Sequence, residues 1–121
     1  MEKLILTFKD IVHLVNQKEI IYCKSENSYT SIYLVNDKKL IASKSLTKIF
    51  NELNSEKFVK VSQSYLINID YLNQINRRKK FIVLTDSINI PFTIKVKELL
   101  AYFTMETPDD QILNVMKVVN I

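Results

Sequence analysis

The chain has 121 residues, 47% of them hydrophobic and 25% charged, with a net charge of +4. That length and balance suit one folded domain with its own core and exclude a disordered tail. No apolar run is long enough to cross a bilayer, and the N-terminal MEKLILTFKD lacks the apolar core and cleavage site of a signal peptide. The single cysteine, Cys23, excludes an internal disulfide, so a reducing, cytoplasmic setting is expected.

Short apolar and β-branched runs separated by polar breaks predict strands at Leu4–Phe8, Ile11–Val15, Glu19–Lys24, Tyr29–Val35 and Lys39–Ala42. In the fourth, Tyr29, Ser31, Tyr33 and Val35 share one face. The chain has no glycine. Turns that need a positive φ therefore fall to Asn and Asp, at Asn16-Gln17, Asn36-Asp37 and Asp86-Ser87.

SLTKIFNEL places Leu46, Ile49, Phe50 and Leu53 on one stripe behind a Ser45 N-cap, which predicts a short helix. Strands follow at Lys60–Leu66, Leu72–Asn76, Phe81–Leu84 and Ile88–Phe92. Arg77, Arg78, Lys79 and Lys80 fall at the tip of the hairpin joining two of them. TIKVKELLAYF repeats the helical stripe at Val96, Leu99, Leu100 and Phe103.

Beyond the polar break TMETPDD lies QILNVMKVVNI, behind Thr107 as a cap and Pro108 as a first helical residue. It reads equally as an amphipathic helix and as a frayed end. The expected organisation is a domain over residues 1–103 and a tail over 104–121. A homodimer through Gln111–Ile121 and packing of the same stripe onto its own domain are both open.

Catalytic and cofactor chemistry lacks its residues. One histidine, His13, and one cysteine cannot supply the roughly four ligands of a structural zinc site. His13, inside IVHLV, reads as a packed strand residue, and Cys23, inside IIYCK, as a small buried one. Without glycine neither a P-loop nor a dinucleotide fingerprint can form. The acidic residues form no evident pair for acid–base work. No enzyme activity, metal or cofactor is expected.

The informative stretch is FVKVSQSYLINIDYL, Phe58 to Leu72. It has the look of a half-buried strand, yet Lys60, Ser62, Gln63 and Ser64 interrupt it, and buried polar groups need partners. It also opens a basic region. From Lys57 to Lys97 eight basic residues face two acids, a local charge of +6 that leaves the rest of the chain at −2. Such a segment favours a polyanion, nucleic acid first, although surface lysines also serve solubility.

Phe58 through Asn68 resembles the signature of the LytTR DNA-binding domain family, in which a phenylalanine, a basic residue, a serine and a Val/Ile-Asn pair recur at these spacings. The likeness extends upstream to the Ile20–Tyr29 run and the Ser45 helix. Downstream it reaches Ile90-Pro91-Phe92-Thr93, so that it covers roughly Ile11 to Phe103.

The resemblance implies a mainly all-β fold, an elongated stack of small antiparallel sheets with one or two short helices. It also implies a bacterial transcription-regulator output domain. Such a domain binds double-stranded DNA through loops entering the major groove, commonly as two copies on a direct repeat. The family's base-reading segments nominate Asn27, Ser28 and Tyr29; Lys60, Ser62, Gln63 and Ser64; and Thr93, Lys95 and Lys97.

Gln63 suits an adenine edge and Lys60 a phosphate or guanine. Ser62 and Ser64 suit phosphate oxygens, Ser64 being equally suited to capping a local turn. Tyr29 is open between DNA and core, and Thr93 between phosphate and an N-cap of the last helix. Asn68 is assigned to holding its own loop. The basic tip Arg77–Lys80 is open between phosphate contact and a solvated turn.

Lys60 stands where the family usually has arginine, Ser62 where it has histidine, and Ile94 precedes Lys95. Lysine lacks arginine's bidentate fork, so these departures bear on the sequence that is read. Two other readings remain: a small β-domain that binds protein, and a single-strand binder stacking bases on Tyr29, Tyr33 and Tyr65.

Overall fold

The computed structural model describes residues 3–104, and the sequence-predicted tail from residue 105 onward lies outside them. The chain opens with a hairpin of β1 (Lys3–Phe8) and β2 (Ile11–Asn16). β3 (Ile20–Glu26), β4 (Tyr29–Leu34) and β5 (Lys38–Ala42) follow, then α1 (Leu46–Glu52), β6 (Phe58–Lys60) and β7 (Tyr65–Asn68). β8 (Leu72–Asn76), β9 (Phe81–Leu84), β10 (Ile88–Pro91) and α2 (Val96–Thr104) complete it.

All pairing is antiparallel and makes three sheets, β1-β2, β5-β4-β3-β7-β6 and β10-β9-β8. The expected architecture of small antiparallel sheets with two short helices holds.

The five-stranded sheet divides two cores. Cys23, Ile32, Leu66 and Phe58 join α1 and the first hairpin in one cluster. Their strand neighbours Tyr22, Ile67 and Val59 join the last sheet and α2 in the other. Successive strand residues point to opposite faces, so each short strand serves both clusters. Ser45 accepts the Lys48 amide at 3.1 Å, the N-cap read from the sequence.

The glycine-free backbone turns by two devices. One is the positive φ of Asn27, Asn36, Asp37, Asp86 and Ser87, joined by Lys9 and Lys80, whose long side chains gave no such signal. The other is an asparagine cap. Asn16 keeps φ at −69°, and its side-chain oxygen accepts the Lys18 amide at 3.1 Å, opening a single 3₁₀ turn over Gln17–Glu19. Asn68 does the same with the Asp70 amide at 3.0 Å ahead of Ile69–Tyr71.

These two turns carry the chain from the first sheet to the second and from the second to the third. They are tied to each other. The buried Asn68 amide donates to the Ile20 carbonyl at 3.0 Å, and the Tyr71 hydroxyl donates to the Lys18 carbonyl at 2.5 Å.

One expected element is corrected. Lys60–Leu66 is not a single strand, because β6 ends at Lys60 and β7 begins at Tyr65. The Val61 and Ser62 amides both donate to the Tyr65 carbonyl, at 3.0 and 3.3 Å, so the chain doubles back on itself there. Phe58 and Val59, expected before the strand, pair inside it with Asn68 and Ile67.

Asn68→Ala should lower stability by about 2 kcal/mol, since it leaves the Ile20 carbonyl and the Asp70 amide without their partner. Lys57→Ala, which removes only an exposed ion pair to Asp70, should cost under about 0.5 kcal/mol. Urea unfolding midpoints of the two variants check this, and equal shifts would contradict it.

Candidate nucleic-acid interface

The four polar residues that interrupt the signature stretch form the turn between β6 and β7. Ser62 builds it. Its hydroxyl oxygen accepts the amides of Ser64 and Tyr65, each at 3.2 Å, which satisfies two donors that no strand partner serves. The local cap is therefore Ser62 and not Ser64. Gln63 and Ser64 stand exposed, their side chains bonded to nothing among the described residues.

Both ends of this turn are pinned to other parts of the chain. The Ser64 carbonyl accepts the Ser25 amide at 2.8 Å, which fixes it beside the end of β3 and the Asn27-Ser28 turn. The Val61 carbonyl accepts the Thr93 amide at 2.9 Å and the Ile94 amide at 3.3 Å. The Lys80 carbonyl in turn accepts the Phe92 amide at 3.1 Å, while the Lys80 ammonium lies 5.6 Å from the Phe92 ring centroid. Backbone hydrogen bonds at three points along one line, Ser25 to Ser64, Thr93 and Ile94 to Val61, and Phe92 to Lys80, thus tie the end of β3, the β6–β7 turn, the Thr93 segment and the basic hairpin tip to one another.

All three nominated segments lie on this line, and so does the Arg77–Lys80 tip, which joins β8 to β9 as expected. Its four basic side chains are exposed, as are Thr93, Lys95 and Lys97. Asn76 shapes the tip, its side-chain oxygen accepting the Lys79 amide at 2.9 Å and its carbonyl the Lys80 amide at 3.0 Å. Lys60 is half-buried, and its ammonium donates to the Thr47 hydroxyl at 2.9 Å, leaving two further N–H donors. Lys57 lies at the other end of β6, in an ion pair of 3.2 Å with Asp70.

Two open alternatives close. α2 starts at Val96, and its first amides turn back to the Lys95 carbonyl, so Thr93 is not its N-cap. Tyr29 is not core: it is 41% exposed and meets Phe8 edge-on with centroids 6.3 Å apart.

Tyr33 and Tyr65 belong to a ladder instead. Tyr22 stacks on Tyr33 at 4.3 Å and 5°, Tyr65 leans on Tyr22, and Lys24 and Lys39 cap the outer rings. Rings already engaged with one another are poor platforms for single-stranded bases. Burial first, then the neighbouring hydroxyls of Tyr33 and Tyr65, pushes the Tyr22 phenol up to about 12. Burial likewise pushes the Cys23 thiol up, as suits a packed, unreactive cysteine.

Sequence reading missed Glu26. It sits beside the Asn27 turn, accepts the Ser31 hydroxyl at 3.1 Å, and has the Lys24 ammonium 3.7 Å away, so its charge is held on the protein. It also missed the opposite pole of the strands. There Gln17, Lys18, Asn54, Lys57, Phe58, Asn68 and Asp70 line a cleft of about 280 Å³. No group of three metal-ligating side chains occurs among the described residues, and no described helix is long and apolar enough to cross a membrane.

Comparison with known families gives a match over residues 10–103 to the LytTr DNA-binding domain. The chain belongs to that family. That family is one of DNA-binding domains, not an enzyme family, and membership supports DNA binding in general. Among solved structures, the LytTr DNA-binding domain of a putative methyl-accepting/DNA response regulator from Bacillus cereus aligns with a TM-score of 0.67. The alignment spans 87% of this chain and 95% of that one at 14% identity, which speaks to the fold. The LytTr match begins within the first hairpin and ends inside α2, and it includes every nominated residue.

Tyr22 ties the fold to alkaline pH. Its proton is held more tightly folded than unfolded, so this stability is full below pH 10 and is lost as pH rises from 10 towards about 12. Urea midpoints across that window should fall in the parent chain and fall less in Tyr22→Phe. Equal falls would contradict it.

Proposed function

We propose that this LytTr domain reads double-stranded DNA sequence-specifically, as the output domain of a transcription regulator. The observation that carries the reading is the set of backbone bonds from Ser25 to Ser64, from Thr93 to Val61 and from Phe92 to Lys80, which tie the nominated segments to one another. A surface fixed in this way brings Gln63 and the basic side chains to the duplex without further ordering, so less conformational entropy is lost on binding.

Gln63 is the base reader. Exposed and unpartnered at the tip of a capped turn, it offers an acceptor and a donor together to adenine N6 and N7 in the major groove. Ser64, Asn27, Ser28 and Tyr29 flank it. Ser62 acts by shaping the turn, since its oxygen is engaged by two amides. Lys60, held by Thr47, has two N–H donors left for one phosphate.

Lys95 and Lys97 lie at the start of α2, where positive charge opposes the helix dipole by about 0.3–1 kcal/mol. A phosphate there relieves that cost. Thr93 and the Arg77–Lys80 tip extend the phosphate contacts along the backbone. Two copies on a direct repeat, facing successive major grooves on one side of a bent duplex, would double the contact, and the domain over residues 1–103 is the unit that is repeated.

Duplexes selected from a randomised library, followed by fluorescence anisotropy, test the assignment. Gln63→Ala should weaken the selected sequence by about 5- to 150-fold and barely affect a random one, matching about 1–3 kcal/mol for a bidentate base contact. Arg78→Ala with Lys79→Ala should weaken both alike and reduce the slope of log affinity against log salt by about two. A library that enriches no motif, with neither variant changing affinity, would refute the reading and favour a protein-binding module.

A further inference from the structure

The tip of the first hairpin adjoins the surface nominated for DNA. β1 and β2 are joined by the turn Lys9-Asp10, with Phe8 paired to Ile11 across it. Phe8 is half-buried and meets the exposed ring of Tyr29 edge-on, with centroids 6.3 Å apart. The Lys9 ammonium lies 5.5 Å from the Phe8 centroid. A cation thus stands one ring away from the first nominated segment. Phe8 and Lys9 both precede residues 10–103, the span of the family match.

The tip is fastened in that place. The Thr7 carbonyl accepts the Ser43 amide at 3.1 Å, and the Lys44 carbonyl accepts the Thr30 hydroxyl at 2.7 Å. Thr30 directly follows Tyr29, so Ser43-Lys44 ties the hairpin to the start of β4. The Lys44 ammonium adds a bond of 3.1 Å to the Ile5 carbonyl.

Lysine is an awkward residue for this turn. Lys9 has a φ of 55°, and a two-residue turn with positive φ at its first position favours glycine there. Elsewhere this glycine-free chain gives that conformation to Asn27, Asn36, Asp37 and Asp86. An asparagine would ease the backbone, whereas lysine supplies a charge.

The fold itself makes no use of that charge. The Lys9 ammonium has no ion pair or hydrogen bond among the described residues. Lys80 repeats the arrangement at the basic tip of the third sheet, with a φ of 60° and its ammonium 5.6 Å from the Phe92 centroid. Of the described lysines these two alone have positive φ, and both are exposed.

We propose, resting on the DNA reading above, that Lys9 binds a backbone phosphate of the duplex, on the flank of the bases facing Asn27–Tyr29. Contact with the Phe8 ring restrains the ammonium beforehand, so less side-chain freedom is lost on binding. Asp10, exposed and unpaired among the described residues, shares the tip and opposes the same phosphate.

Fluorescence anisotropy of the full chain, on its selected duplex and on a random one, is the test. Lys9→Asn removes the charge but keeps a residue suited to positive φ, so its urea midpoint should equal or exceed the parent's. Its affinity should fall about fivefold for both duplexes at near-physiological salt, and the slope of log affinity against log salt should shrink by about one. Lys9→Arg should restore both, and Asp10→Asn should tighten both duplexes by about twofold.

Unchanged affinity and slope in Lys9→Asn, with Gln63→Ala still weakening the selected duplex, would overturn this proposal alone. A loss confined to the selected duplex would overturn the phosphate assignment in favour of a base contact. No effect of either Lys9→Asn or Gln63→Ala would overturn this proposal and the DNA reading together.

Discussion

The Val61 carbonyl holds the two halves of this molecule in one geometry. It accepts the amides of Thr93 and Ile94 just as the chain leaves the third sheet for α2, while three residues on Ser64 is bonded to the end of β3. Val61 itself is buried in the second core. A four-residue turn thus has one end in the central sheet, the other against the last sheet, and a hydrophobic anchor beneath. Its exposed members cannot drift independently of the surfaces on either side. That constraint joins short loops into one surface, the one proposed here to meet the duplex.

The opposite pole is fixed by asparagine chemistry. Strands as short as the three residues of β6 and the four of β7 carry few ladder bonds. Their ends are held by side chains: Asn68 to the Ile20 carbonyl and Gln17 to the Asn54 amide at 3.0 Å. Every buried side-chain polar atom among the described residues has a partner. Buried polar groups that are fully bonded add rigidity where apolar area is limited. One end of the strands is therefore locked by internal polar contacts, and the other presents its polar groups outward.

Most elements were legible because the chain states them in local terms. The Ser45 cap and its stripe define α1, and the alternation in Tyr29–Val35 defines β4. Asn36-Asp37 and Asp86-Ser87 take positive φ as the lack of glycine requires. Failures fall where the deciding partner is not local. Val61 is apolar and follows Lys60 in strand rhythm, so nothing nearby signals that its carbonyl is bound by Thr93.

Thr93 is a good N-cap residue three positions before a helix, yet its amide is spent on Val61 and the helix starts at Val96. Gln17 reads as a turn residue but is buried, because Asn54 lies across from it. The site's members could be nominated from the signature stretch and its flanks. Their adjacency could not, since it rests on backbone bonds between residues dozens of positions apart.

The most direct test of the central claim is backbone amide NMR of the full chain titrated with a duplex bearing its selected sequence. The account predicts that shifts concentrate together at Ser25–Tyr29, Val61–Tyr65, Arg77–Lys80 and Phe92–Lys97, with the Gln17–Asn68 pole unmoved. Shifts confined to one of these segments, or centred on the Gln17 and Lys57 end of the strands, would contradict it.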